Sequence, residues 1–245
     1  MNLTIDTGNT RTKYAVFDGG TILATGIMDN TQQYLSLLEQ YPIKAVISSS
    51  VGQAIDFQDT TPKTINFYTL NSKLPLQILL DYDTPSTLGP DRIAAAVGAT
   101  IIFPEQNCLV IDAGTCITID LVDEYGAYCG GAIMPGFSMK FNALHTFTEK
   151  LPLLHLSDSA ELPETTGKTT DESILSGVVN GTLFEIEGFV NHYNSEYKDL
   201  QIAITGGDAQ LLSELLKDKL RHTVSKDLTL IGLNKILEYN EKQNI

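Results

Sequence analysis

The chain has 245 residues, 42% of them hydrophobic and 19% charged, and Asp+Glu outnumber Lys+Arg 30 to 16 for a formal net charge of −14. That length can bury a sizeable core in one large domain or two modest ones, while the acidic balance argues against nucleic acid as a partner, because a phosphate backbone demands a basic face. No apolar run approaches the ~20 residues of a membrane span, and LTID at residues 3–6 is strand sequence rather than a signal peptide, so a cytoplasmic protein without a membrane partner is expected.

Residues 2–6 and 12–18 read as strands around the turn of LTIDTGNTRTKYAVFD, with a third at 21–27 after the hairpin signal Gly19-Gly20. In 31–40, Tyr34, Leu35, Leu37 and Leu38 recur near helical spacing and predict an amphipathic helix. KAVISSSV (44–51) is a buried strand ending in a serine run, suited to a helix N-cap or a ligand. Another short strand is expected at 64–69. Gly89 then breaks the chain, Pro90 suits a first helical position, and an alanine-rich helix runs to Pro104.

The pattern restarts in CLVIDAGTCITIDLVDEYGAYCGGAIMPG, residues 108–136: strand, Asp-x-Gly turn, strand, tight turn, strand. Helices are expected at 136–148 and 171–195. A strand at 200–204 leads into Thr205-Gly206-Gly207-Asp208 and a further helix, and a closing helix spans 228–241. Asp6-Thr7-Gly8-Asn9 and Asp112-Ala113-Gly114-Thr115 thus each follow an apolar strand and open a three-strand meander followed by helices. This echo predicts two similar α/β halves, residues 1–106 and 107–245, with a ligand in the cleft between them where both aspartate turns face it.

At the first turn, Gly8 lets backbone N–H groups approach an anion closely. Asn9 and Thr10 add hydrogen-bonding groups, and Lys13 adds a point charge on the returning strand. Asp6 would repel bare phosphate, so it makes sense if magnesium bridges it to the phosphate through water. A plain Asp-Gly turn with an incidental lysine accounts for the hairpin equally well. Asp112, Gly114 and Thr115 repeat the pattern without a lysine, which fits phosphates gripped from two sides. Thr205-Gly206-Gly207-Asp208 sits where a strand meets a helix, suited to a close pass of adenosine or phosphate or to an ordinary turn.

In Gly89-Pro90-Asp91-Arg92, the dipole of the following helix favours Asp91 as a carboxylate, so capping is one explanation. The other is chemical: Asp91 accepts a proton from a substrate hydroxyl, and Arg92 binds a carboxylate or a transferring phosphoryl group. Cys108, Cys116 and Cys129 fit no zinc or redox spacing and read as reduced thiols, with Cys108 and Cys116 buried in strands. The four histidines form no metal-ligand spacing.

D-x-G-N-T-x-x-K at 6–13, G-x-D-R at 89–92, D-A-G-T at 112–115, G-G-x-I-x-P-G at 130–136 and T-G-G at 205–207 occur in that order. Together they resemble type III pantothenate kinase, in the acetate and sugar kinase/Hsp70/actin superfamily, from residue 3 to about 207. The resemblance implies two ribonuclease-H-like (actin-like ATPase) domains, a homodimer, and ATP-dependent phosphorylation of pantothenate on the route to coenzyme A. It implies ATP phosphate binding by Asp6, Thr7, Gly8, Asn9, Thr10, Arg11, Thr12 and Lys13, with Asp6 near magnesium and Thr115 a further ATP contact. Asp91 would be the catalytic base, and Gly89, Pro90, Asp91 and Arg92 would line the acceptor with Tyr82 and Thr170, or Thr169 after a one-residue slip. Asp112 would hold a monovalent cation, potassium or ammonium. Pro90 fills a variable position, and Cys116 stands where a small residue is usual. Rival readings are another kinase or phosphohydrolase of the superfamily, or a non-catalytic nucleotide-binding regulator.

Overall fold

Alternating apolar positions along the first 28 residues build one sheet. In the computed structural model, which describes residues 1–50, 57–71, 73–157 and 161–243, β1 (Asn2–Thr7), β2 (Thr12–Asp18) and β3 (Thr21–Met28) form an antiparallel meander. Strands β4 (Ala45–Ser50) and β5 (Asn66–Thr69) add in parallel, giving the order β3-β2-β1-β4-β5. Val51, the last residue of the expected KAVISSSV strand, lies outside the described residues.

The two faces of β1 have different fates, because successive side chains point to opposite sides of a strand. Leu3 and Ile5 join Val16, Met28 and Val46 in a buried cluster. Tyr34 and Leu37 complete it from α1 (Thr31–Gln40), a helix capped by the Asn30 side chain. Asn2, Thr4 and Asp6 share the other face. There the Asn2 amide donates to Asn234 Oδ1 at 2.9 Å on α6 (Leu228–Gln243).

Helix α6 packs along α2 (Pro90–Ile102), whose residues Arg92 to Ala99 are buried. Two glycines permit the close crossing: a Cβ on Gly98 would strike the Leu228 carbonyl, and one on Gly232 the Ala94 carbonyl. At ~1 kcal/mol of intrinsic helix cost for a glycine, two at one crossing mark backbone contact that no larger residue allows.

The second sheet contains β6 (Cys108–Ala113), β7 (Cys116–Val122), β8 (Tyr128–Pro135), β9 (Gln201–Thr205) and β10 (Thr223–Val224), in the order β10-β9-β6-β7-β8. Read from the other end, this is the strand order of the first sheet, with β6 in the place of β1 and β9 parallel beside it as β4 is beside β1. The echo between the aspartate turns is therefore an echo of topology. Helices α3 (Phe137–Thr146), α4 (Thr170–Glu196) and α5 (Ala209–Leu216) follow. The two-residue β10 and a 3-10 turn at Pro85–Thr87 were not expected from the sequence.

Two units share the chain. The first takes in Met1–Glu105, Val122–Gly130 and Asp227–Ile245; the second takes in Gln106–Leu121 and Gly131–Lys226. With two five-stranded mixed sheets, the architecture is α/β of the actin-like ATPase kind. Among the described residues no helix is long and apolar enough to cross a membrane.

Candidate active site

Asp6, the last residue but one of β1, has a residue of interest on either side. Lys13 is its partner on β2 and Ser49 its partner on β4. The Ser49 hydroxyl donates to Asp6 Oδ1 at 2.6 Å. Burial pushes the Asp6 carboxyl above its ordinary range. The Ser49 hydrogen bond opposes that shift, nearby Asp91 adds to it, and Lys13 opposes it. Lys13 and Asp91 therefore each lie within electrostatic reach of Asp6, all within the first unit. Ser49 was missed as an individual residue; the serine run marked its strand, but only register singles it out.

The turn after Asp6 is closed by Gly8 N–H donating to the Arg11 carbonyl at 3.1 Å and by Thr12 Oγ1 donating to Thr7 Oγ1 at 3.4 Å. Thr7 is buried, while Asn9, Thr10 and Arg11 are exposed. A Cβ on Gly8 would meet only the Arg11 carbonyl at 3.5 Å. The fold itself leaves this position open, which suits close approach by a ligand.

The G-x-D-R stretch forms the start of α2: Gly89 is the N-cap, Pro90 follows at the first helical position, and Asp91 lies in the first turn. The Asp91 carboxylate folds back into the space where Gly89 lacks a Cβ. Backbone N–H of Arg92 donates to Asp91 Oδ1 at 2.9 Å. Arg92 is only 8% exposed, and its guanidinium stands over the ring of Tyr128 at 5.8 Å from the centroid. Tyr82 meets the same ring edge-on, with centroids 5.8 Å apart. Tyr82 and Arg92, the two expected acceptor residues with long side chains, are thus gathered about one aromatic ring.

In the second unit the glycine motifs converge on Asp112. Its partner in the parallel pair is Thr205, and the next residue, Gly206, has φ +98. A Cβ there would collide with the Ala113 carbonyl and with Asp112 Oδ1. Asp208 N–H donates to the Ala113 carbonyl at 2.9 Å, and Gly136 N–H to the Thr115 carbonyl at 3.0 Å. A side chain on Gly136 would strike the Gly114 carbonyl. D-A-G-T, the end of G-G-x-I-x-P-G and T-G-G therefore form one knot of backbone, with Thr115 exposed.

The two threonines at the start of α4 have separate tasks. Thr169 is the N-cap: its hydroxyl accepts from Glu172 N–H at 3.2 Å, and Glu172 Oε2 accepts from Thr169 N–H at 3.1 Å. This reciprocal pairing commits Thr169 to the helix end. Thr170 is exposed, and with Gly167, Lys168, Thr169 and Ile174 it lines a groove of about 640 Å³.

Cys108 is buried, and burial pushes its thiol up to about 12, so it is inert at neutral pH. Cys116 is only partly buried rather than enclosed, as is Cys129. Among the described residues no group of three or more His, Cys, Asp or Glu gathers as a metal cage. Asp6 still fits a magnesium carried with nucleotide, which needs only one or two carboxylates beside phosphates and water. A cation there would relieve both the burial of its charge and the proximity of Asp91.

The sequence model of type III pantothenate kinase matches residues 2–192. A protein described as type III pantothenate kinase from Cytophaga hutchinsonii is 42% identical over 241 residues, covering 98% of this chain and all of that one. Among solved structures, a Baf family protein from Campylobacter jejuni superposes with a TM-score of 0.64 at 22% identity, covering 99% of this chain and all of that one. A glucokinase from an Antarctic psychrotroph gives a TM-score of 0.54 at 13% identity over 97% of this chain and 98% of its own. At such identities the structural likenesses speak for the fold.

Proposed function

The chain belongs to the type III pantothenate kinase family, ATP-dependent enzymes of the first step of coenzyme A biosynthesis, and on that premise we propose how its residues divide the phosphoryl transfer. The observation that carries the proposal is that Asp6 has both Lys13, its register partner across the hairpin, and Asp91, from a helix start far off in sequence, near it. Asp91 takes the proton from the pantothenate primary hydroxyl as that oxygen attacks the γ-phosphorus of ATP and the bond from that phosphorus to the β–γ bridging oxygen breaks, releasing ADP. Phosphoryl transition states are loose, so alignment and charge neutralisation dominate, and general-base help contributes roughly 10²–10⁴-fold.

Lys13 and the turn from Thr7 to Thr12 hold the phosphates. Asp6, its carboxylate fixed by the Ser49 hydroxyl, would hold the magnesium that accompanies the nucleotide. Magnesium, when bound, supplies positive charge to the phosphates. In the second unit, Thr115 contacts ATP and Asp112 would hold a monovalent cation, potassium or ammonium, which would add positive charge there. Gly89, Pro90, Arg92, Tyr82 and Thr170 receive pantothenate. The commitment of Thr169 to its cap supports Thr170 as the contacting threonine.

The enzyme works as a cytoplasmic homodimer in this reading. The test is ADP formation from ATP with and without pantothenate, in potassium and then in sodium at equal ionic strength. Pantothenate-dependent ADP release that falls several-fold in sodium is expected. Equal rates in both salts would remove the cation from Asp112.

A further inference from the structure

The motif G-G-x-I-x-P-G begins at Gly130, and the residue two positions before it, Tyr128, carries none of the roles assigned above. Tyr128 is a large polar-tipped ring with 0% exposure. Three separate features meet on it. The Arg92 guanidinium stands over its face at 5.8 Å. The Tyr82 ring packs against it edge-on at 5.8 Å, an interplanar angle of 63°. Its backbone clamps the segment that bears Tyr82: Tyr128 N–H donates to the Leu79 carbonyl and its carbonyl accepts from Asp81 N–H, both at 2.9 Å.

Gly130 completes the surface. Residues two apart on a strand share a face, so Gly130 lies beside Tyr128, and a Cβ on it would come within 3.7 Å of the Tyr82 ring. Its φ of +89 is one that L side chains rarely adopt. All of these residues belong to the first unit, to which 122–130 is the contribution of a distant stretch of chain.

We propose that Tyr128, with Gly130 beside it, is the platform that positions Tyr82 and Arg92 for the acceptor, making Tyr128 a determinant of pantothenate recognition rather than a mere core residue. The proposal rests on the assignment of Tyr82 and Arg92 to pantothenate. An aromatic ring offers a negative face to a guanidinium and a positive rim to a second ring's electrons. One buried tyrosine can therefore fix two side chains at once. Leucine or methionine would fill the volume and hold neither geometry.

The experiment measures KM for pantothenate, KM for ATP and kcat in Tyr128→Met, Tyr128→Phe, Gly130→Ala and Tyr82→Ala, with thermal unfolding as a fold control. Tyr128→Met should raise KM for pantothenate about tenfold or more, the scale of a displaced binding group, with KM for ATP nearly unchanged. Tyr128→Phe keeps the ring and should restore the wild-type value. If Tyr128→Met does not fold, Gly130→Ala serves instead and should shift the same constant. An unchanged pantothenate KM in the folded variant, an equal rise in both KM values, or a Phe variant as impaired as Met overturns the platform. If Tyr82→Ala also leaves pantothenate KM unchanged, the acceptor assignment itself has failed. If Tyr82→Ala raises it while Tyr128→Met does not, only the platform falls.

Discussion

The two aspartate turns occupy equivalent places in two sheets of one strand order, yet they are made of different materials. Around Asp6 the neighbours are side chains: the Ser49 hydroxyl, the Lys13 ammonium and the Asp91 carboxylate. Beside Asp112 the backbone is drawn close: a Cβ on Gly206 would strike the Ala113 carbonyl and Asp112 Oδ1, and Gly136, the N-cap of α3, donates to the Thr115 carbonyl. One turn is furnished to manage charge, the other to bring peptide groups close.

The strongest test of that contrast removes the charge with the most to do. Asp91→Asn should lower kcat by about 10²–10⁴-fold while ATP still binds, measured by steady-state kinetics beside nucleotide titration. Near-normal turnover would take the base away from Asp91.

The next test replaces one glycine beside each aspartate turn by alanine. Gly206→Ala should cost roughly 1–3 kcal/mol in urea unfolding, through a strained backbone and a collision with Ala113. Gly8→Ala should leave stability nearly unaltered, since its Cβ meets only an ordinary contact, and should weaken ATP binding alone. Equal losses of stability would erase the distinction between an open turn and a knotted one.

The smallest effect concerns Asp6. Its folded carboxyl is raised above the ordinary 3.8, mainly by burial, so the fold holds that proton more tightly than the unfolded chain does. The stability it confers is full below 3.8 and is lost as pH rises through the raised value. At pH 7 the ionised group weighs against the ligand-free fold. Asp6→Asn should therefore raise Tm at pH 7, by about 2–4 °C for each kcal/mol relieved, with the gain vanishing under strongly acid conditions. Turnover should be lost in the same variant. A lower Tm at pH 7 would show the Ser49 and Lys13 contacts outweighing burial.

Much of this was legible from local pattern. The apolar runs ending in Asp6 and Asp112 announced two like sheets, and Gly89-Pro90 announced where α2 starts, because turn and cap chemistry act over a few residues. What stayed hidden depends on distance. Ser49 is one of three serines until register sets it against Asp6. Tyr128 reads as a strand tyrosine until the 79–82 segment folds onto it. β10 is two residues long, too short for any alternation to appear, and exists only as a pair with β9.

The Gly98–Gly232 crossing has a bearing on how the protein is made. The helix that begins with the proposed base is braced by α6, and the whole of the second unit's sequence lies between them. A chain leaving the ribosome therefore presents the second unit complete while the first still lacks its brace. Until α6 emerges, the apolar face of α2 must wait uncovered, the kind of surface that draws chaperones and aggregation. The half that carries the base is begun first and finished last.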